Sequence, residues 1–223
     1  MNPTPYPRAL RSLLALGLIL LALVSLTAPA LHSNPLEAVP LHQWDFEHPD
    51  TWLNPSQTIG GGTLTVIPGT ATEVVRNTSA QGFPSAHLRL NNPLEAELHL
   101  ALPTTGYEGL TLAWETRRSG QGAGEQTVAW SNDGDTWNLL ESYAVEDADP
   151  QPKTFDLSAL EGVNDNATFT VRVTFAQGAG GTSGNNRFDN ITLEGTPLPE
   201  TNPPPVVVAP PGLQQLIAGG TSA

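Results

Sequence analysis

Cysteine is absent from this chain of 223 residues, so no disulfide staples it and its stability must come from a packed core, or from a core plus a bound metal. Basic residues are scarce: nine Lys and Arg stand against 22 Asp and Glu, for a net charge of −13. So acidic a surface repels phosphate backbones and anionic lipid, which excludes nucleic-acid binding by the bulk of the molecule. Catalytic signatures are missing too. The five histidines (His32, His42, His48, His87 and His99) never fall into H-E-x-x-H or a comparable ligand spacing, and no G-x-S-x-G elbow occurs. Glu97 and Glu115 are the carboxylates a glycosidase pair would draw on, but no glycosidase signature surrounds either. The Gly-rich segments GQGAG and GAGGTSG fall between strands rather than between strand and helix, which argues against a phosphate cradle. Sustained helical periodicity is also lacking beyond the first thirty residues.

The one long apolar run that is present lies near the start. Arg8 and Arg11 precede Leu13 to Leu26, and Thr27-Ala28-Pro29-Ala30 follows. A basic flank, a short apolar stretch and an A-x-A site read as a secretory signal peptide over residues 1–30. The run is too short for the roughly 20 residues that a spanning helix needs. Removal after Ala30 leaves 193 residues and takes the two leader arginines away, moving the net charge from −13 to −15. The expected location is therefore secreted or cell-surface, with no membrane span in the processed chain.

Twenty-one glycines and 21 prolines, with abundant Leu, Val, Ile and Thr, read as all-β with many turns. Residues 31–40 form a connector. LHQWDFE from Leu41 alternates, with Trp44 and Phe46 on one face, and Thr63–Ile67 reads as another strand. SAHLRLNN and AELHLAL alternate around Asn91-Asn92-Pro93 and read as a hairpin. GLTLAWETRRS, EQTVAWS and TWNLLESYAV follow, the last two joined across Asn132-Asp133-Gly134-Asp135. KTFDL, a short helical turn over Ser158–Glu161, and ATFTVRVTFAQ come next, the last with Phe169, Val171, Val173 and Phe175 on one face. RFDNITLEG closes the set, with Asp189 read on the face of Ile191 and Leu193. About ten strands with one apolar face each predict a two-sheet antiparallel β-sandwich over residues 41–196. Residues 197–223 begin with TPLPETNPPPVVVAPPG and read as a proline-rich linker or disordered tail. The closing LQQLIAGGTSA reads either as the first strand of a further domain or as a tail.

The order of LTLAWETRRSG, VAWSNDGDTW, KTFDLSAL, NATFTVRVTFA, GAGGTSGNN and RFDNITLEGT over residues 109–195 resembles the jelly-roll modules of secreted bacterial multidomain proteins. Those are the modules that accompany lamin-tail domains, extracellular nucleases and surface-anchoring regions. More distantly it is similar to carbohydrate-binding and galactose-binding-like jelly rolls. The resemblance implies an accessory or adhesive domain rather than a catalyst. It also implies a structural calcium where the first and last strands meet, at Asp45, Glu47 and Asp189, with backbone carbonyls completing six to eight oxygens. Asp189 capping a strand end, or pairing with Arg187 or another arginine, is the alternative.

Sugar recognition needs exposed aromatic rings, for which Trp52, Tyr107, Trp130, Trp137 and Tyr143 are available; Trp44 and Trp114 belong to the core pattern. Trp137, just after a turn, reads as packing over its own hairpin. Arg117, Arg118 and Arg172 either grip an anionic ligand such as a uronate or sulfate, or neutralise Glu97 and Glu115 across a polar sheet face. The expectation is a non-catalytic recognition or adhesion module for an extracellular glycan or cell-surface component, with Trp130, Arg117, Arg172 and Tyr143 at the ligand and calcium as the one cofactor. The alternatives are an accessory domain of a longer secreted hydrolase or nuclease, and a structural spacer.

Overall fold

The computed structural model describes residues 36–80 and 82–199. The leader and most of the proline-rich segment lie outside them. Twelve strands among the described residues form two antiparallel sheets packed face to face, so the all-β sandwich of jelly-roll type expected from the alternation is the fold observed.

The first sheet contains β1 (Val39–Trp44), β2 (Gln57–Thr58), β4 (Glu73–Asn77), β5 (His87–Asn91), β7 (Tyr107–Arg118), β10 (Gln151–Asp156) and β12 (Asn185–Pro197). The second contains β3 (Thr63–Ile67), β6 (Glu97–Ala101), β8 (Glu125–Ser131), β9 (Asn138–Ala144) and β11 (Thr170–Ala176), in the order β3-β6-β11-β8-β9. β12 is the spine of the first sheet. β7 runs along one of its edges, while the other edge is shared, Asn185–Phe188 pairing with β5 and Ile191–Gly195 with β1. The fork between β5 and β1 falls at Asp189 and Asn190. There Asn190 takes φ 50 and the register with β7 slips, a bulge that bends a strand and re-aims its side chains.

Between the sheets lie Leu88, Leu90, Leu110, Leu112, Phe188, Ile191 and Leu193 from one side and Leu98, Leu100, Val128, Val171 and Val173 from the other, all within 1 % of full burial. Trp114 packs on Phe155 at 4.7 Å and on Phe188 at 6.1 Å. Each such side chain contributes about 1.5–3 kcal/mol by leaving water, which is the means by which a chain without disulfides holds together. His42 is fully buried at the β1–β2 edge, its Nδ1 2.8 Å from the Thr58 hydroxyl and its Nε2 2.9 Å from the Pro103 carbonyl. Burial lowers its pKa, more than the carbonyl contact raises it.

Three details differ from the alternation reading. The strands around Asn92-Pro93 are not a hairpin: β5 belongs to the first sheet and β6 to the second. Asn92 at φ 48 and a 3-10 turn over Pro93–Glu95 carry the chain from one sheet to the other. Alternation reports which side chains face the core but not from which sheet. Ser158–Glu161 is a hydrogen-bonded turn, the Leu160 N–H donating to the Leu157 carbonyl, that does not go on to a helix. Asp189 pairs with Glu115, on the opposite face from Leu193, which pairs with the buried Leu112. The bulge at Asn190 is the reason.

Candidate functional site

The outer face of the second sheet gathers side chains from all five of its strands. Strand register sets Thr65, His99, Arg172, Ala129 and Leu139 in one row, and Ile67, Glu97, Thr174, Thr127 and Ser142 in the next. In β6, β8 and β11 the residues on either side of these point into the core, so period 2 turns the two rows outward. Glu97 Oε2 lies 2.6 Å from His99 Nε2 and 3.7 Å from Arg172 Nη1. Arg172 Nε is buried and has no hydrogen-bond partner.

Trp137 closes this cluster from the β8–β9 turn. In that turn the Asp133 carboxylate accepts the backbone N–H groups of Thr136 and Asp135 at 2.8 and 2.9 Å, and the Ser131 hydroxyl at 2.8 Å. Those bonds pull its pKa down to about 2. The turn delivers the indole beyond its own hairpin: Arg172 stacks on the ring 4.4 Å from its centroid, and His99 meets it at 5.6 Å and 70°. The intervening strand presents only Ala129 in that row, a side chain small enough to pass beneath. Leu139 beside it is 68 % exposed. A partly buried indole with a guanidinium, an imidazole and a carboxylate around it can stack its open side on the apolar face of a ring while the polar groups exchange hydrogen bonds with its hydroxyls.

Of the ligand residues expected from the sequence, Arg172 is in this cluster and the other three are not. Tyr143 is buried at 8 % exposure, donates its hydroxyl proton to Gln126 Oε1 at 2.6 Å and accepts from Trp114 Nε1 at 3.1 Å. Burial raises its pKa, and Lys153 Nζ stands 4.0 Å from its ring centroid. Trp130 pairs with the fully buried Val171 and packs against the core. Arg117 lies on the other sheet, where its Nη2 donates to the Asp147 carbonyl at 3.0 Å. Trp137, His99 and Glu97 are the residues that sequence reasoning did not assign; the signal was an aromatic emerging from a rigid Asp-Gly turn opposite an alternating strand.

The expected metal residues meet only in part. Asp189 is fully buried at the β12 fork, its Oδ1 accepting the Asn190 N–H at 2.8 Å and its Oδ2 3.4 Å from the Ser85 hydroxyl. Desolvation first, and then the negative charges of Glu115 and Glu47, push its pKa up to about 7. Glu47 Oε1 accepts the Ala86 N–H at 3.0 Å. Asp45 instead caps the chain locally, accepting the Glu47 N–H at 3.1 Å. The carbonyls of Phe46 and Glu47 accept from Arg76 Nε and Nη2, both at 2.7 Å. The charge around Asp189 suits a cation. The oxygen set does not fit calcium as it stands, because the two nearby carbonyls serve Arg76 and, among the described residues, no three His, Asp or Glu side chains group to hold a metal.

Two other features frame the site. Asp45 to Ser56 wrap a depression of about 540 Å³ in which Trp52 tilts against Phe46 at 6.4 Å. The outer face of the first sheet carries Thr111, Ala113, Thr154, Thr192 and Glu194, with no aromatic ring among them. Among the described residues no helix is long and apolar enough to cross a membrane.

No family model and no curated protein matches this sequence. Solved structures do resemble it in fold. The N-terminal CBM22-1–CBM22-2 tandem domain of Paenibacillus barcinonensis Xyn10C superposes with a TM-score of 0.51 at 12 % identity, over 77 % of this chain and 50 % of that one. The CBM22-1 xylan-binding domain of the same protein gives 0.47 at 11 %, over 74 % of this chain and 99 % of that one. The CBM22-1 and GH10 modules of a Clostridium thermocellum endo-1,4-β-D-xylanase, solved with xylohexaose, give 0.47 at 12 %, over 72 % of this chain. This chain spans 28 % of that xylanase chain. At 12 % identity the likeness to the tandem domain shows the fold alone and leaves the ligand to the site.

Proposed function

We propose that this chain is an exported, non-catalytic recognition module that binds an extracellular glycan across the outer face of its second sheet. The observation that carries the reading is Trp137 laid over Arg172 and His99, with Glu97 holding both. An indole stacks on the C–H face of a pyranose, and the Arg172 guanidinium against it, on a side chain 30 % exposed, offers donors to sugar hydroxyls. Charged side chains fixed by one another reach a ligand with little further loss of freedom. The apolar run with its A-x-A site over residues 1–30 supports export, and the proline-rich residues 197–223 suit a stiff linker to a neighbouring module. In this reading the domain is an accessory module of the jelly-roll kind that secreted hydrolases, nucleases and surface proteins carry. The fold shared with the tandem CBM22 domain accords with it.

A calcium ion belongs to the proposal at one place only. Glu47 and Asp189 would supply two carboxylates at the β12 fork only once the arginine of β4 had released the Phe46 and Glu47 carbonyls to complete the oxygen set.

The test is affinity gel electrophoresis of the full chain through a panel of soluble neutral and acidic polysaccharides. Retardation by at least one polymer, lost in Trp137→Ala and kept in Tyr143→Phe, is the expected result. Retardation that survives Trp137→Ala would move the site elsewhere, and no retardation by any polymer would favour the spacer reading, in which the Thr-rich face of the first sheet is typical of the whole surface.

A further inference from the structure

Three arginines stand directly opposite one another on the first sheet. Arg187 of β12 pairs with Arg89 of β5 on one side and with Arg117 of β7 on the other. Adjacent strands lie about 4.8 Å apart, so three of the nine basic residues of this acidic chain occupy one rung. Like charges directly opposite each other destabilise a sheet, and a sequence this rich in carboxylates had every means to pair them.

It did so only in part. Arg187 is 6 % exposed, and its Nε and Nη1, with Arg89 Nε, have no hydrogen-bond partner. Among the described residues neither Arg89 nor Arg187 forms an ion pair with a carboxylate. The next rung along the same face is acidic, Asp189 opposite Glu115, so the strands pair like with like twice over. Asp147 turns its carboxylate to Arg118 at 3.8 Å and gives the row only its carbonyl, through Arg117. His87, one position beyond Arg89 on the same face, is buried and stacked on Phe83 at 4.5 Å. Burial and the two flanking guanidiniums push the pKa of Arg187 down to about 10. Buried forked donors without acceptors, in a row of positive charge, are what an oxyanion completes.

We propose that Arg89, Arg187 and Arg117 form a binding site for a tetrahedral oxyanion of the sulfate or phosphate class, entered from the partly exposed Arg89. The anion bridges the row, supplies acceptors to Arg187 Nε and Nη1, and joins β5, β12 and β7 at the upper end of the fork. The site lies on the opposite sheet from the proposed glycan face and does not depend on it. The same chemistry is available from a free ion or from an ester on a sugar chain.

Thermal unfolding of the full chain in millimolar sodium sulfate, against sodium chloride at matched ionic strength, tests this. Wild type should show a saturable rise of about 2–4 °C, because a ligand of the folded state alone stabilises it. Arg187→Leu should lose the rise while melting no lower than wild type in chloride, and Lys153→Gln should keep it. A rise that is linear in sulfate, or equal in Arg187→Leu, would overturn the proposal as general salt stabilisation. Should Arg187→Leu fail to fold, Arg89→Gln decides: a rise of undiminished size overturns the site, and a reduced one supports it. A sulfated oligosaccharide and its desulfated parent, run in the same assay, separate the sources. A saturable, Arg187-dependent rise with either sulfate-bearing probe supports the site, and its absence with both overturns it.

Discussion

At Asp189 the environment of a single carboxyl has a measurable consequence. Its pKa of about 7 stands above the ordinary 3.8. Below pH 3.8 both folded and unfolded chains hold the proton, so the group contributes nothing. Between the two values the unfolded chain releases it and the folded chain keeps it, so stability falls as pH rises, and above about 7 the full penalty applies. His42 and His87 act in the other sense: burial lowers both pKa values below 6.5, so their contribution is present above 6.5 and is lost as pH falls through the folded values. Comparing wild type with Asp189→Asn isolates the carboxyl. In EDTA, melting of the variant relative to wild type should rise steadily from about pH 4 to about pH 8; parallel curves would mean the carboxyl is ionised throughout. Tyr143 makes a second case. Removing its hydroxyl in Tyr143→Phe leaves the buried Trp114 Nε1 without an acceptor and takes one donor from Gln126 Oε1, which keeps Thr116; it should cost about 1–3 kcal/mol in chemical denaturation, with glycan binding intact. A tyrosine on an alternating strand looks the same in sequence whether it faces water or the core, and the β8–β9 register slip at Val128 and Ala129 is what no count of alternation would show.

Among the elements, β11 was readable because Val171, Val173 and Phe175 alternate with Thr170, Arg172 and Thr174. β12 was not, since the left-handed Asn190 switches Asp189 to the other face, and asparagine tolerates that conformation without announcing it. The sheet to which β5 and β6 belong was equally hidden, because both turn leucines to the same core. Where the chain packs backbone on backbone, composition did speak. The loop 119–124 interlocks with 177–184, and a Cβ on Gly180 would run into the Gly122 carbonyl and the Gly124 backbone. Gly180→Ala should therefore cost about 1–3 kcal/mol. Gly120→Ala in the same loop, whose nearest neighbour would be Asp147 at 3.5 Å, should leave the melting temperature unchanged. Equal effects in the two variants would mean that the loops do not interlock as described.

For the whole molecule, the absence of cysteine and the recurrent turns made the sandwich legible, whereas the ligand was not, because one fold serves many functions and the binding residues are brought together from separate strands. Arg172 could be singled out as a rare cation, but its partners Glu97, His99 and Trp137 are 75, 73 and 35 positions away along the chain. The fork of β12 makes one prediction for the intact domain: if Glu47 and Asp189 hold calcium, millimolar calcium should raise the melting temperature over EDTA, and Asp189→Ala should abolish the rise. No shift in wild type would remove calcium from the account. The central claim is the location of the ligand. It is tested most directly by ¹⁵N-¹H correlation NMR of the full chain, titrated with oligosaccharides from whichever polymer retards it. The predicted result is saturable shifts at the amides of Glu97, His99, Ala129 and Arg172 and at the Trp137 indole N–H. Shifts confined to residues 45–56 or to the Thr111–Glu194 face, with the Trp137 signal unmoved, would contradict it.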